Sequence, residues 1–175
     1  MRELEMVAKI RLEWGAFIRD AVKDTCIPEA LVGALVANES GGRDDARRFE
    51  PKVYADLVRV QVGTAPRYGS ITKADLAGLG DEALRGLASS WGATQIMGYN
   101  AVCHKVDYLA LGNPAVSMPL TVLMLSEFAR KWGLDPAANP EALLRCWNTG
   151  GPNGKTFDEG YVSKGLARMR IYAEG

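Results

Sequence analysis

Between Pro28 and Gly42 the chain reads PEALVGALVANESGG. Leu31, Val32, Leu35 and Val36 recur at helical spacing, and Pro28 fits the first position of a helix. Glu29 then favours the positive helix start. Gly41 and Gly42 supply the permissive backbone that ends it. So apolar a helix has to lie in a core, which restricts the chain to folds that surround it. It also carries one acidic residue, Glu39, to its own C-terminal end.

Other segments repeat the helical period. Residues 3–24 place Leu4, Val7, Trp14, Phe17, Ile18, Ala21 and Val22 on one stripe, interrupted by Thr25-Cys26-Ile27-Pro28. Ser117 to Trp132 predicts an apolar helix. Asn139-Pro140-Glu141 opens another that runs to about Asn148. The last runs from about Asp158 to Tyr172. Asp81 is a plausible N-cap for a helix carrying Leu84, Leu87 and Ala88. Thr72 is a candidate cap for a short helix through Gly78. Val53–Val62 fits either a helix or a strand, because Val58, Val60 and Val62 alternate with polar residues. Gly63–Ser70 reads as loop, and Ser89–Gly98 breaks the pattern with small and polar residues. Glycines 150, 151 and 154 mark a further loop. The expected class is mainly α, with at most a small β element between about 53 and 72. The 175 residues predict one domain spanning 1–175.

Composition excludes several function classes. The formal net charge is zero, and Arg47-Arg48 sit beside Asp44-Asp45, so a mixed solvated surface is expected and not a nucleic-acid partner. No run approaches the ~18–20 apolar residues of a membrane span, so stable membrane insertion is not expected. The N-terminal stretch MRELEMVAKIRLEW is charged throughout and lacks the apolar region of a signal peptide, which predicts synthesis in the cytoplasm without a leader. Cys26, Cys103 and Cys146 match no zinc or CxxC spacing, and buried free thiols are expected. His104 is the only histidine and lacks the partners of a metal site or a triad. No metal or cofactor is expected.

Glu39 is the residue with chemical promise. A carboxylate near a helix C-terminus is unfavourable by ~0.3–1 kcal/mol when exposed. Burial behind an apolar run adds to that, and both effects raise a carboxyl pKa. A neutral carboxylic acid is what protonation of a glycosidic oxygen near neutral pH requires. Glu50 follows eleven positions later within Arg-Phe-Glu-Pro. Either it pairs with Arg47, Arg48 or Lys52, or it acts as a base that positions water. Asp44 and Asp45 are weaker candidates, because they follow the glycine turn directly.

Four motifs carry a resemblance. Asn38-Glu39-Ser40-Gly41-Gly42 is similar to the Glu-Ser motif of the lysozyme-like superfamily, in particular soluble lytic transglycosylases and goose-type lysozymes. Gly92-Ala93-Thr94-Gln95-Ile96-Met97 resembles the second motif, usually Gly-Leu-Met-Gln-x-Met. Cys146-Trp147-Asn148-Thr149-Gly150 resembles the third, usually Ala-Tyr-Asn-x-Gly. Gly160-Tyr161-Val162-Ser163-Lys164, with Tyr172 after it, resembles the closing helix. The four occur in the family's order across about residues 28–172. Glu-Ser-Gly-Gly followed by Arg-Phe-Glu-Pro is also similar to transglycosylase-like phage lysins.

The resemblance implies an α+β lysozyme-like fold with a glycan cleft. It also implies cleavage of the β-1,4 bond between N-acetylmuramic acid and N-acetylglucosamine in peptidoglycan. Glu39 would protonate the leaving oxygen. In a lytic transglycosylase it then takes the proton of the muramic C6 hydroxyl, giving a 1,6-anhydro product. In a hydrolysing muramidase Glu50 would position water. Ser40, Gln95, Met97, Trp147, Asn148 and Tyr161 carry over as substrate-binding residues. Thr94 stands where the family usually has methionine. Trp147 stands where it usually has tyrosine, so its indole either holds Glu39 or only packs against it. Tyr161 either faces the cleft and Glu39 or packs in the core. A phage lysin acting on the bacterial wall as a monomer is the expected setting. A glycan-binding or virion module without turnover is the rival from another class.

Overall fold

The computed structural model describes residues 2–175. In chain order the helices are α1 Glu3–Val22, α2 Glu29–Glu39, α3 Pro51–Val62, α4 Asp81–Leu87, α5 Gly98–Cys103, α6 Pro114–Trp132, α7 Pro140–Thr149 and α8 Tyr161–Glu174. The short strands are β1 Arg47–Phe49, β2 Arg67–Tyr68, β3 Ile71–Thr72, β4 Ser89–Trp91 and β5 Ile96–Met97. The protein is mainly α with a small antiparallel β component.

α2 is the hub. Leu31 through Ala37 are all buried, so no side of this helix faces water along that run. The core around it contains Ile10, Trp14 and Ile18 of α1, Met118 and Leu125 of α6, Leu143 and Leu144 of α7, and Tyr161 and Tyr172 of α8. Two glycines allow close approach. A Cβ on Gly33 would lie 2.4 Å from the Tyr172 ring, and one on Gly165 would lie 2.7 Å from Leu144 Cδ1. Arg168 of α8 ties three helices together. It grips Glu3 with Nε and Nη2 (2.8 and 2.7 Å) and donates through Nη1 to Asn38 Oδ1 (2.7 Å) and the Ala37 carbonyl. A guanidinium at the end of α2 also suits the negative pole of that helix.

A second apolar cluster, with Leu57, Val60, Ile71, Leu76, Leu84 and Leu87, lies under α3, α4 and the β2–β3 hairpin. The three-stranded sheet runs β1-β4-β5, with Arg47 opposite Trp91 and Trp91 opposite Ile96.

One open choice is decided, and several expectations need correction. Residues 53–62 resolve as helix, because Leu57 and Val60 bury one face. Thr72 caps no helix: it ends β3, and its N–H and hydroxyl both donate to Asp75. Asp81 is the first residue of α4, with Gly80 at the cap, and Pro28 is the cap of α2 instead of its first residue. α6 begins a turn before Ser117, where Asn113 Oδ1 accepts from the Ala115 N–H. The last helix starts at Tyr161, after Asp158 has accepted from the Gly160 N–H. Arg67–Tyr68 is a strand within the expected loop, and Ser89–Met97 is a hairpin, placing most of the β structure outside 53–72. Cys146 is buried, but Cys26 and Cys103 are exposed. No helix among the described residues is long and apolar enough to cross a membrane.

Candidate active site

The C-terminal end of α2, strand β1, the end of α7 and the start of α8 converge on one groove of about 810 Å³. Glu39, Arg48, Glu50, Asn148 and Tyr161 line it. Glu39 arrives there because the buried run of residues 31–37 fixes the helix in the core, and the acid lies just past the end of that run, where the helix returns to the surface. Ser40 ends the helix. Its Oγ accepts from the N–H groups of Gly42 and Arg43, both 3.1 Å away, while Gly41 and Gly42 adopt positive φ. Ser40 thus shapes the turn after the acid and does not line the groove.

The Glu39 carboxyl is half-buried and accepts a hydrogen bond from the Tyr161 hydroxyl. Burial holds its pKa above the ordinary glutamate value. The Tyr161 hydrogen bond and the Arg48 charge oppose this and are outweighed. Burial, then the Glu39 charge, pushes the Tyr161 phenol far above its usual value, so it remains a donor at any working pH. Tyr161 is itself held from behind, since Asn38 Nδ2 donates to its carbonyl (3.0 Å) and Arg168 fixes Asn38.

Glu50 follows strand β1 directly, as the N-cap residue of α3. Arg48 and Glu50 are two residues apart on extended chain and so share a side. Their side chains pair, Arg48 Nε to Glu50 Oε1, at 2.6 Å. The strand is anchored by the hairpin beside it. Arg47 stacks its guanidinium on Trp91 at 4.2 Å, and the Glu50 N–H donates to the Ala88 carbonyl (2.9 Å). Asp44 and Asp45 line a different hollow, beside Trp14.

A second hollow of about 840 Å³ adjoins the first, lined by Gln95, Met97 and Trp147 among others, with Asn148 and Thr149 forming a wall common to both. Trp147 does not reach Glu39: its indole N–H donates to the Thr94 carbonyl at 3.1 Å. Thr94 in turn is buried, with its hydroxyl on Thr121. The residue that holds the acid is therefore Tyr161. Gln95 sits at φ 54°, locked by its own amide. Nε2 donates to the Ala46 and Gly92 carbonyls (3.0 and 2.9 Å), and Oε1 accepts from Ser90 Oγ (2.7 Å). One amide donor thus ties the hairpin to the residue before β1 and the other closes its own turn, which leaves one acceptor lone pair for a ligand. Met97 is half-buried at the start of α5, and Asn148 is exposed at the common wall. His104 faces the second hollow 3.5 Å from Glu127.

Three participants were not marked by sequence reasoning. Arg48 figured only as a partner of Glu50, although its charge also acts on Glu39. Asn38 lay inside the motif without a role, and Arg168 carried no signal, being one arginine in an amphipathic helix. Among the described residues, no cluster of three or more histidine, cysteine or acidic side chains could hold a metal ion. Chemically the arrangement offers one desolvated acid with a fixed phenol donor and a second, ion-paired carboxylate in the same groove. Comparison with known proteins returns no matching family model, no matching curated sequence and no matching solved structure.

Proposed function

We propose that the protein cleaves the β-1,4 bond between N-acetylmuramic acid and N-acetylglucosamine in peptidoglycan, as a lytic transglycosylase. The observation that carries this reading is the Glu39 carboxyl, desolvated and hydrogen-bonded to Tyr161 in an extended groove. Glu39 in its acid form protonates the departing glycosidic oxygen. The resulting carboxylate then takes the proton of the muramic C6 hydroxyl as that oxygen attacks the anomeric carbon. The nucleophile belongs to the substrate, so its effective concentration is high and no second carboxylate has to react. Two adjoining hollows of about 810 and 840 Å³, the first holding Glu39, support a glycan strand as the ligand. The order of the four motifs, and the likeness of Glu-Ser-Gly-Gly followed by Arg-Phe-Glu-Pro to phage lysins, support the bacterial wall as the place of action.

Glu50 favours a second reading. It faces the groove of the acid, and a base placed there would deliver water and make the enzyme a hydrolase. Its ion pair with Arg48 gives it a structural task as well, which supports the first reading. Digestion of purified walls decides between them. A transglycosylase releases fragments lighter by one water than those of a hydrolase, as read by mass spectrometry. Loss of turbidity with the native chain and none with Glu39→Gln is expected. Wall binding by both proteins with clearing by neither would leave only a glycan-binding module.

A further inference from the structure

The chain between α7 and α8 displays a fully exposed phenylalanine, Phe157, at the edge of the Glu39 groove. A phenylalanine held in water at the rim of a groove presents a whole aromatic face to whatever enters it. The segment around it is pinned at both ends. Thr149 Oγ1 donates to the carbonyl of Arg145 or of Gly151 (2.9 and 2.8 Å). Thr156 is buried and donates to the Asp158 carbonyl (2.8 Å), while the Asp158 carboxylate holds Lys164 (2.6 Å) and the Gly160 N–H (2.8 Å). Lys155 and Phe157 flank the buried Thr156, and both line the groove. Of the two cations there, Arg48 is taken by Glu50. Lys155 has no carboxylate within ion-pair distance among the described residues.

We infer that Lys155 and Phe157 form a recognition rim that selects anionic, muramic-type glycan over neutral chitin-type glycan. The inference rests on the proposed peptidoglycan reading and assigns it a specificity element. A pyranose ring presents an apolar C–H face that an exposed aromatic ring can cover. Muramic acid differs from N-acetylglucosamine by a lactyl ether ending in a carboxyl group. In peptide-free strands that carboxylate is the anion opposite Lys155, and in peptide-bearing strands the acidic residues of the stem take its place. Phe157 therefore serves both sugars, and Lys155 discriminates between them.

The test measures binding in the Glu39→Gln background, where turnover cannot consume the ligand. Three probes are used: peptide-free muramic strands, peptide-bearing strands and a chitin hexamer. Lys155→Gln is expected to weaken the muramic strands about tenfold at low salt and to leave the chitin hexamer unchanged. Lys155→Arg should restore the difference. A loss confined to peptide-bearing strands assigns the anion to the stem acids alone, a loss confined to peptide-free strands assigns it to the lactyl carboxylate alone, and a loss on both shows that either carboxylate takes the place opposite Lys155. Phe157→Ala should weaken all three probes about tenfold. Equal loss across muramic and chitin probes with Lys155→Gln, or no loss, overturns the inference, as does full binding by Phe157→Ala. Failure of the catalytic reading looks different. The native chain would leave walls uncut while the Lys155 discrimination persisted.

Discussion

Glu39 and Tyr161 form the smallest unit with consequences for pH. The Glu39 pKa is raised in the folded chain, so both folded and unfolded states hold the proton in strong acid and the residue then costs nothing. As pH climbs through the ordinary glutamate value and then the raised one, the folded state loses stability. Glu39→Gln removes that loss. The variant should melt with wild type near pH 3 and above it near pH 7, by about 2–4 °C for each kcal/mol relieved. Calorimetry at the two pH values checks the sign. Proposed activity should fall along its alkaline limb as Glu39 ionises. Tyr161→Phe deletes a hydrogen bond that favours the ionised form, so the limb should move to higher pH. The same change should lower kcat, because the acid is no longer held in one orientation. A pH–rate profile whose limb stays in place would show that Tyr161 does not act on the acid.

At the scale of elements, α2 and α8 pack as closely as two glycines permit. Gly33→Ala drives a methyl into the Tyr172 ring, and Gly165→Ala drives one into Leu144 and toward Asn38 Nδ2. Each should cost about 1–3 kcal/mol of stability. Their effects on the proposed turnover should part company. Gly165 lies one helical turn beyond Tyr161 and beside the amide that supports it, whereas Gly33 lies against the far end of α8. Gly165→Ala should therefore depress activity beyond its loss of stability, and Gly33→Ala should not, as seen by assaying both well below their melting temperatures.

Legibility follows the same scale. α2 could be read because its apolar period, its proline start and its double-glycine stop all lie within a few residues. The β4–β5 hairpin could not, because its strands are two or three residues long and its pairing to β1 reaches back about forty positions. Gln95 shows the limit most clearly. Its residue type drew attention, but its two donors go to carbonyls, one of them Ala46, that no local pattern connects to it. Trp147 misdirected attention in the opposite way. A donor beside the motif invited a bond to Glu39, and the indole found the Thr94 carbonyl instead.

For the whole molecule, the three thiols give a simple check on the packing. Cys26 and Cys103 are exposed and Cys146 is buried, so a thiol reagent should titrate two groups in the native chain and a third only after unfolding. Three fast-reacting thiols would mean that the seat of α7 against the core is not as described. Fold class was legible at this scale from helical periods alone. The convergence on the groove was legible only through the motif order, since Glu39 and Tyr161 stand 122 positions apart.

The party wall at Asn148 and Thr149 turns the two hollows into a ruler. An oligosaccharide short enough to settle in one of them gains nothing from the other and need not cross the acid. One long enough to straddle the partition has no such freedom. Rates of the proposed cleavage on a graded series of muramic oligomers should therefore climb steeply with each added sugar and then level off, and the length at the plateau would measure the distance between the two chambers.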